Sequence, residues 1–199
     1  IISIKNYAGL GTPKRIAHLV ESICAAFPGL VLHYHGCNTD GNDIGRMSAA
    51  VLAGAKIVDV ADHGYGAIYG QAPALTLIQA LEDYGKKAVG VDIPPLIKSS
   101  DLLRQERKIY EPFESPFRGH DPTVAAYKLT GGAVGSTFEQ ADKGGFLDRM
   151  PEILTEMARV QVELGNWGSV TPGSQILWTT AVNNVLYGRY ERPSLDLKN

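Results

Sequence analysis

The spacing of apolar runs in the first third of the chain limits its fold more than any other feature. Three short apolar runs predict strands, at residues 1–5, 30–35 and 56–61, and the first of them is rich in β-branched residues. Strand starts recur roughly every 26 to 28 residues, which is the length of a β/α unit whose strands lie parallel. A fourth, less regular unit is predicted from a short strand at 68–70 and a helix at 72–84. The pattern therefore indicates an α/β fold.

The segment between the first two strands carries the signals of an amphipathic helix. Thr12-Pro13 supplies an N-cap and a proline at the first helical position. Apolar residues follow at the spacing of one buried helical face: Ile16, Leu19, Val20 and Ile23. Pro28-Gly29 ends this helix, and a second helix is predicted at 45–52.

The pattern changes near residue 90, after which only helices are predicted. They lie at 92–110, 138–143, 151–164 and 173–187, with a loop rich in Pro, Gly and charge at 112–122. We therefore expect two domains, a β/α part at 1–90 and an all-helical part at 91–199.

Three or four β/α units are too few to close a sheet, and an open parallel sheet would leave exposed edges. We therefore expect residues 1–90 to form the C-terminal half of an eight-stranded β/α barrel. The other half would come from residues before Ile1 or from a partner chain, because the chain lacks an initial Met and begins inside a strand. A doubly wound open sheet is the alternative, although no G-x-G-x-x-G follows the first strand.

Composition excludes several classes of protein. The 199 residues include 44% hydrophobic and 20% charged residues, and the net charge of −2 offers no electrostatic basis for binding nucleic acid. No apolar run approaches the ~20 residues of a membrane span. Two cysteines, Cys24 and Cys37, are too few for a disulfide framework, so we expect a cytoplasmic protein.

His33 and His35 are the strongest candidates for chemistry. They are two residues apart in a predicted strand, so both imidazoles point to one face near its C-terminal end. Two imidazoles there suit a divalent metal such as Zn, Mn or Co, although they could also be ordinary polar strand residues. Lys5 lies near the corresponding end of the preceding strand. A neutral lysine there could add carbon dioxide to become an anionic ligand, whereas alone it would extend to solvent.

These residues stand in an order that resembles a known family. Ile4-Lys5-Asn6-Tyr7-Ala8-Gly9-Leu10, Leu32-His33-Tyr34-His35 and Val58-Asp59-Val60-Ala61 resemble motifs of the carboxyltransferase domain of biotin-dependent carboxylases. Pyruvate carboxylase, the oxaloacetate decarboxylase alpha subunit and transcarboxylase contain that domain. The resemblance continues through Gly131-Gly132, Gln140-Ala141 and Val170-Thr171-Pro172-Gly173-Ser174-Gln175.

The resemblance implies a role for each matching residue. Lys5 would be the carbamylated ligand, and His33 and His35 the histidine ligands, of a divalent metal. Thr171 would shuttle a proton between biotin N1 and an enolate, although Thr171-Pro172 is also a helix cap. Five further residues would lie near biotin or substrate: Asn6, which replaces an Asp of the family, with Gly131, Gly132, Ser174 and Gln175.

The implied reaction moves a carboxyl group between carboxybiotin N1 and an enolisable keto acid of the pyruvate or oxaloacetate type. The helical part would be a funnel that admits biotin from a separate carrier domain. Biotin carboxylase, the N-terminal barrel half and further copies of the chain would be partners. Two alternatives remain open: a metal-dependent lyase or aldolase of the hydroxymethylglutaryl-CoA lyase-like barrels, and a non-catalytic half-barrel subunit of a carboxylase complex.

Overall fold

The computed structural model of the chain describes residues 1–6, 11–66, 70–117, 119–127, 131–166 and 172–193. The chain forms two compact units, one of Ile1–Glu114 with Arg118–Pro122 and one of Ser115–Phe117 with Thr123–Asn199. The sequence predicts a boundary near residue 90, whereas the helix at Ile93–Tyr110 belongs to the first compact unit. The domains at 1–90 and 91–199 therefore stay a prediction.

The first unit is built on a parallel sheet of three strands. In chain order its elements are β1 (Ile2–Asn6), α1 (Pro13–Ala26), β2 (Leu32–Gly36), α2 (Asp43–Ala53), β3 (Ile57–Val58), α3 (Ala74–Glu82) and α4 (Ile93–Tyr110). The strands are ordered β1-β2-β3 and pair in parallel, as the β/α period predicts.

The third strand is shorter than its apolar run. β3 ends at Val58, and Ala61 instead forms an isolated parallel bridge with Pro73. The chain thus changes its pairing partner after β3, which a run of apolar residues cannot reveal. The fourth strand predicted at 68–70 lies mostly outside the described residues, because 67–69 are not among them.

One face of the sheet packs on helices α1, α2 and α3. Leu32 and Tyr34 of β2 are fully buried there, in a core with Ile16, Val20, Met47, Ala50, Ala55, Ala72, Leu77 and Leu81. The predicted face of α1 is correct at Ile16 and Val20, and Thr12 caps this helix by accepting a bond from the Arg15 backbone N–H. Leu19, which the same spacing predicts to be buried, is instead 42% exposed.

A buried polar network lies at the end of β2, on the helix-facing side. Asn6 donates to the Tyr34 hydroxyl (3.1 Å), which donates to Asp43 Oδ1 (3.1 Å). Arg46 donates to Asp43 (3.3 Å) and binds both oxygens of Asp40 (2.7 and 2.6 Å). Gly36 makes this packing possible, since a Cβ at residue 36 would overlap the Asp43 carboxylate. The network ties both strand ends to α2.

Burial and the single guanidinium set the ionisation of this network. Burial raises the pKa of the Asp43 carboxyl despite its contacts with Arg46. Burial alone would also raise the pKa of Asp40, but hydrogen bonds from Arg46 and a backbone N–H lower it below its ordinary value. Burial and the nearby Asp43 raise the pKa of the Tyr34 phenol well above 10.

Replacing Tyr34 with Phe is expected to lower the free energy of unfolding by about 1–3 kcal/mol near neutral pH, because two buried polar groups lose a partner. The raised pKa of Tyr34 adds a pH dependence. Above pH ~10 the unfolded wild type can release the phenolic proton that the folded protein retains, so this stabilisation falls by up to about 1.4 kcal/mol per pH unit. Urea denaturation between about pH 8 and 11 should show the wild-type advantage shrinking.

Tyr84, which is 61% exposed, offers the control for this change. Tyr84→Phe should match the wild type across the same pH range. A wild-type advantage over Tyr34→Phe that stays constant above pH ~10 would contradict the assignment.

The second unit is helical in the part that the structure describes. Its helices are α5 (Val124–Tyr127), α6 (Gly131–Lys143), α7 (Met150–Glu163) and α8 (Gly173–Tyr187). α7 packs on α8 through buried apolar residues that include Ile153, Met157, Leu177 and Ala181. The helix predicted at 138–143 begins earlier, at Gly131, and α5 has no counterpart in the sequence pattern. Within the described ranges, no helix has both the length and the apolar character that crossing a bilayer requires.

Candidate functional site

The face of the sheet opposite the helices carries the predicted ligands. The strand register pairs Ser3 with His33 and Lys5 with His35. Paired residues of parallel neighbours share a face, and side chains two apart along a strand do as well. Lys5, His33 and His35 therefore lie on one face, at the C-terminal ends of adjacent parallel strands. This is the arrangement that the sequence predicts.

Asp59 contacts both histidines. Its Oδ2 lies 2.6 Å from His35 Nδ1, within hydrogen-bond distance, and its Oδ1 lies 2.8 Å from His33 Nε2. The register between β2 and β3 explains this position. His33 pairs with Ile57 and Tyr34 with Val58, so the next residue, Asp59, lies beside His35. One carboxylate thus spans two imidazoles that a single strand presents.

The two imidazoles affect the ionisation of this carboxylate. Partial burial alone would raise the pKa of Asp59, but the hydrogen bond with His35 and the contact with His33 lower it below its ordinary value. Asp59 is therefore an anion at neutral pH, between rings that are about a fifth exposed (23% for His33 and 21% for His35).

Gln71 contacts His35 from another direction. Its amide Nε2 lies 3.5 Å from His35 Nε2 and donates to the Gly36 carbonyl (3.3 Å). His35 therefore has a carboxylate near one ring nitrogen and an amide near the other. These two contacts limit the rotation of the ring.

The donor atoms fit a divalent cation in part. His33 Nε2 is buried and, despite the nearby Asp59 oxygen, lacks a partner with hydrogen-bond geometry. Such an atom is suited to accept a cation through its lone pair, and imidazole nitrogen is a preferred ligand of Zn, Mn and Co. Among the described residues, however, no group of three or more His, Cys, Asp or Glu forms a ready metal site. Further ligands would therefore have to come from Lys5 or from outside these residues.

Asn6 lies on the other face of the sheet. Its side chain is buried, donates to the Tyr34 hydroxyl and accepts from the Gly11 backbone N–H (3.0 Å). Its amide thus belongs to the buried network, and its predicted place near biotin or substrate stays a prediction.

The remaining predicted residues belong to the second unit. Gly131 and Gly132 are the first residues of α6, and Ser174 and Gln175 lie in the first turn of α8. Ser174 is half-buried and Gln175 is exposed. Thr171 lies outside the described residues, so its role is a prediction from the resemblance alone.

Sequence reasoning did not assign a role to Asp59 or Gln71. Asp59 had a detectable signal, since it is an acidic residue inside the apolar run Ile57-Val58-Asp59-Val60. Asp59 is two residues after Ile57, which pairs with His33, so its side chain lies on the same face of the sheet as the histidines. Gln71 had no such signal, because it follows a segment with no clear period.

Comparison with known proteins identifies the relatives of this chain. Residues 124–194 match a family described as a conserved carboxylase domain. One of the subunits of the pyruvate carboxylase of Methanocaldococcus jannaschii is 33% identical over 186 residues, covering 93% of this chain and 32% of that protein. The 2-oxoglutarate carboxylase large subunit of Hydrogenobacter thermophilus is 29% identical over 196 residues, covering 96% of this chain and 29% of that protein.

The fold agrees with a solved structure. The carboxyltransferase domain of Rhizobium etli pyruvate carboxylase superposes with a TM-score of 0.87 at 28% identity, covering 93% of this chain and 31% of that one. This chain is similar in sequence and fold to the carboxyltransferase domain of pyruvate carboxylase. It spans about a third of the length of these carboxylase relatives. The family resemblance predicted from the motifs is confirmed, and the fold is of the carboxyltransferase type, mixed α/β with a small parallel sheet.

Proposed function

We propose that the chain supplies part of the active site of a biotin-dependent carboxyltransferase. The reaction moves a carboxyl group between N1 of carboxybiotin and an enolisable 2-oxo acid. The observation that carries the proposal is that Lys5 and His35 are paired across β1 and β2, with His33 on the same face. Relatives named for pyruvate and for 2-oxoglutarate support a 2-oxo acid as the acceptor.

Lys5, His33 and His35 would hold a divalent cation, with Lys5 acting as a carbamate. The buried Nε2 of His33, which lacks a well-directed hydrogen bond, supports this donor set. When bound, such a cation supplies positive charge that polarises the keto oxygen and stabilises an enolate. A further ligand would come from a strand that completes the barrel.

The reaction also needs a proton to move. In carboxylation, the carbon next to the keto group loses a proton and gains the carboxyl group, while biotin N1 loses the carboxyl group and gains a proton. A hydroxyl between the two atoms can accept one proton as it releases another. Thr171 would have this role, and Asn6, Gly131, Gly132, Ser174 and Gln175 would lie close to biotin or substrate.

We propose that further strands complete the sheet to an eight-stranded barrel. Among the described strands β1 lies at one edge of the sheet; its residue Ile2 is 52% exposed, and Ile1 just before it is 81% exposed. Apolar side chains at an open parallel edge favour pairing with another strand. The helices of residues 91–199 would form the funnel for biotin on a separate carrier domain. Biotin carboxylase and further copies of the chain would complete a cytoplasmic complex.

The histidines provide the test. His33→Ala in the intact enzyme should lower kcat for carboxyl transfer from the carboxybiotin carrier to pyruvate or 2-oxoglutarate by about 100-fold or more, because a ligand is lost. His18→Ala is the matched control, since His18 is exposed on α1. Its rate should equal that of the wild type. Equal rates for both variants, or a wild type that transfers no carboxyl group to either acid, would contradict the proposed function.

A further inference from the structure

Asp59 lies between two imidazoles, and the proposed reaction as described does not use it. The carboxylate divides its oxygens between the rings, with Oδ2 directed to His35 Nδ1 (2.6 Å) and Oδ1 to His33 Nε2 (2.8 Å). We propose that Asp59 is a positioning residue that fixes the orientation of both rings, and the tautomer of His35, before a cation binds. This inference rests on the proposed function, because it takes His33 and His35 as metal ligands.

The tautomer of His35 follows from its contacts. An ionised carboxylate accepts hydrogen bonds but cannot donate one, so the short contact with Asp59 requires the His35 proton on Nδ1. The lone pair of neutral His35 is then on Nε2. A lone pair is what a cation needs, and a second partner that fixes the tautomer of a ligating histidine is a general feature of metal sites. Asp59 thus prepares His35 to bind through Nε2.

Gln71 lies close to His35 Nε2, the ring nitrogen that does not face Asp59. Its amide nitrogen lies 3.5 Å from His35 Nε2, which is a long distance for a hydrogen bond, and it also donates to the Gly36 carbonyl. A weak contact of this kind can be replaced by a stronger ligand. The two partners of His35 therefore differ: Asp59 holds the ring strongly, whereas Gln71 contacts the nitrogen that would bind the cation.

The position of Asp59 explains why one carboxylate serves both rings. His33 and His35 are about two residues of strand apart, roughly 6.5 Å along β2. Asp59 follows β3, its backbone N–H donates to the Tyr34 carbonyl (3.1 Å), and its side chain is on the histidine face. From there its two oxygens reach nitrogens of both rings. An asparagine at this position would replace the charged carboxylate by a neutral amide with one acceptor oxygen, so it would hold the His35 proton on Nδ1 less strongly.

The test is Asp59→Asn in the intact protein, with two measurements. Competition with a chelator for Mn²⁺ or Zn²⁺ should show affinity about 10- to 100-fold below that of the wild type. NMR of nitrogen-labelled histidine in the metal-free protein should show the His35 proton on Nδ1 in the wild type, and a clearly smaller share of it there in the variant. Asp83→Asn, at an exposed carboxylate, is the control and should match the wild type in both.

The outcomes separate this inference from the proposed function. Wild-type affinity in Asp59→Asn would overturn the inference and leave the proposed function standing. Weaker affinity with an unchanged His35 tautomer would also overturn it, because Asp59 would then act as a ligand rather than through the rings. A wild-type protein that binds neither metal would instead contradict the metal site of the proposed function.

Discussion

Arg46→Met is expected to lower the free energy of unfolding by about 3–5 kcal/mol at neutral pH, the usual cost of removing one partner of a buried ion pair. Arg46 is 1% exposed and is hydrogen-bonded to Asp40, to Asp43 and to the Cys37 carbonyl. Met keeps most of the side-chain volume but removes every donor. The buried carboxyl group of Asp43 and the partly buried one of Asp40 are then left without a cation. Chemical denaturation of the full-length protein measures the loss.

The stability lost in Arg46→Met should become smaller as the pH falls. Burial already raises the pKa of Asp43, and removing the guanidinium would raise it further. A protonated carboxyl needs no cation, so the loss should be smaller at about pH 5 than at about pH 7. Arg104→Met is the control, because Arg104 and its partner Asp101 are each 56% exposed. That exposed pair should contribute less than about 1 kcal/mol. Equal losses for the two variants would contradict the role given to the buried network.

Lys5→Met should abolish carboxyl transfer while leaving the fold intact. Lys5 is exposed and lies on the face opposite the core, so its replacement costs little stability. Its backbone pairs with that of His35, which puts the amine on the histidine face. If Lys5 is the carbamylated ligand, its loss should lower kcat by more than the ~100-fold that loss of an outer partner of a ligand costs.

The control for this change is Lys14→Met, at an exposed position in the first turn of α1. Both variants should show the denaturation midpoint of the wild type, whereas only Lys5→Met should lose the reaction. Measurement of carboxyl transfer at saturating 2-oxo acid separates a loss of kcat from weaker binding. A Lys5→Met enzyme with wild-type kcat would show that the amine is not a ligand.

Much of the first unit could be predicted from sequence because its signals are local. The Thr12 cap and the period-2 alternation of His33 and His35 each depend on a few neighbouring residues. The parallel pairing of β1 with β2 follows from the β/α period. The same alternation correctly puts Lys5 and His35 on one face.

The buried network could not be predicted, because it joins residues through space. Arg46 is a charged residue on a helix, and its sequence pattern is typical of a solvated position, yet it is almost fully buried. Its burial depends on Asp40 and Asp43 lying around it. Gly36 likewise has the sequence context of an ordinary strand end, whereas the packed Asp43 carboxylate excludes any Cβ there.

Leu19 shows that a local pattern can also predict burial where the structure has none. Its spacing is that of a buried helical face, but it is 42% exposed. Periodicity predicts which face is apolar and cannot say whether another element covers it. Ile2 on the edge strand is exposed in the same way, at 52%. The exposure of Ile2 fits the proposal that a further strand pairs with β1.

The proposed function requires that Lys5, His33 and His35 together hold one divalent cation. The metal content of the intact protein, measured by inductively coupled plasma mass spectrometry after gel filtration, shows whether they do. We expect about one divalent ion per chain in the wild type and in Lys14→Met, and a large loss of bound metal in Lys5→Met and in His33→Ala. A wild-type protein that transfers carboxyl groups without bound metal, or equal metal content in all four proteins, would contradict this requirement.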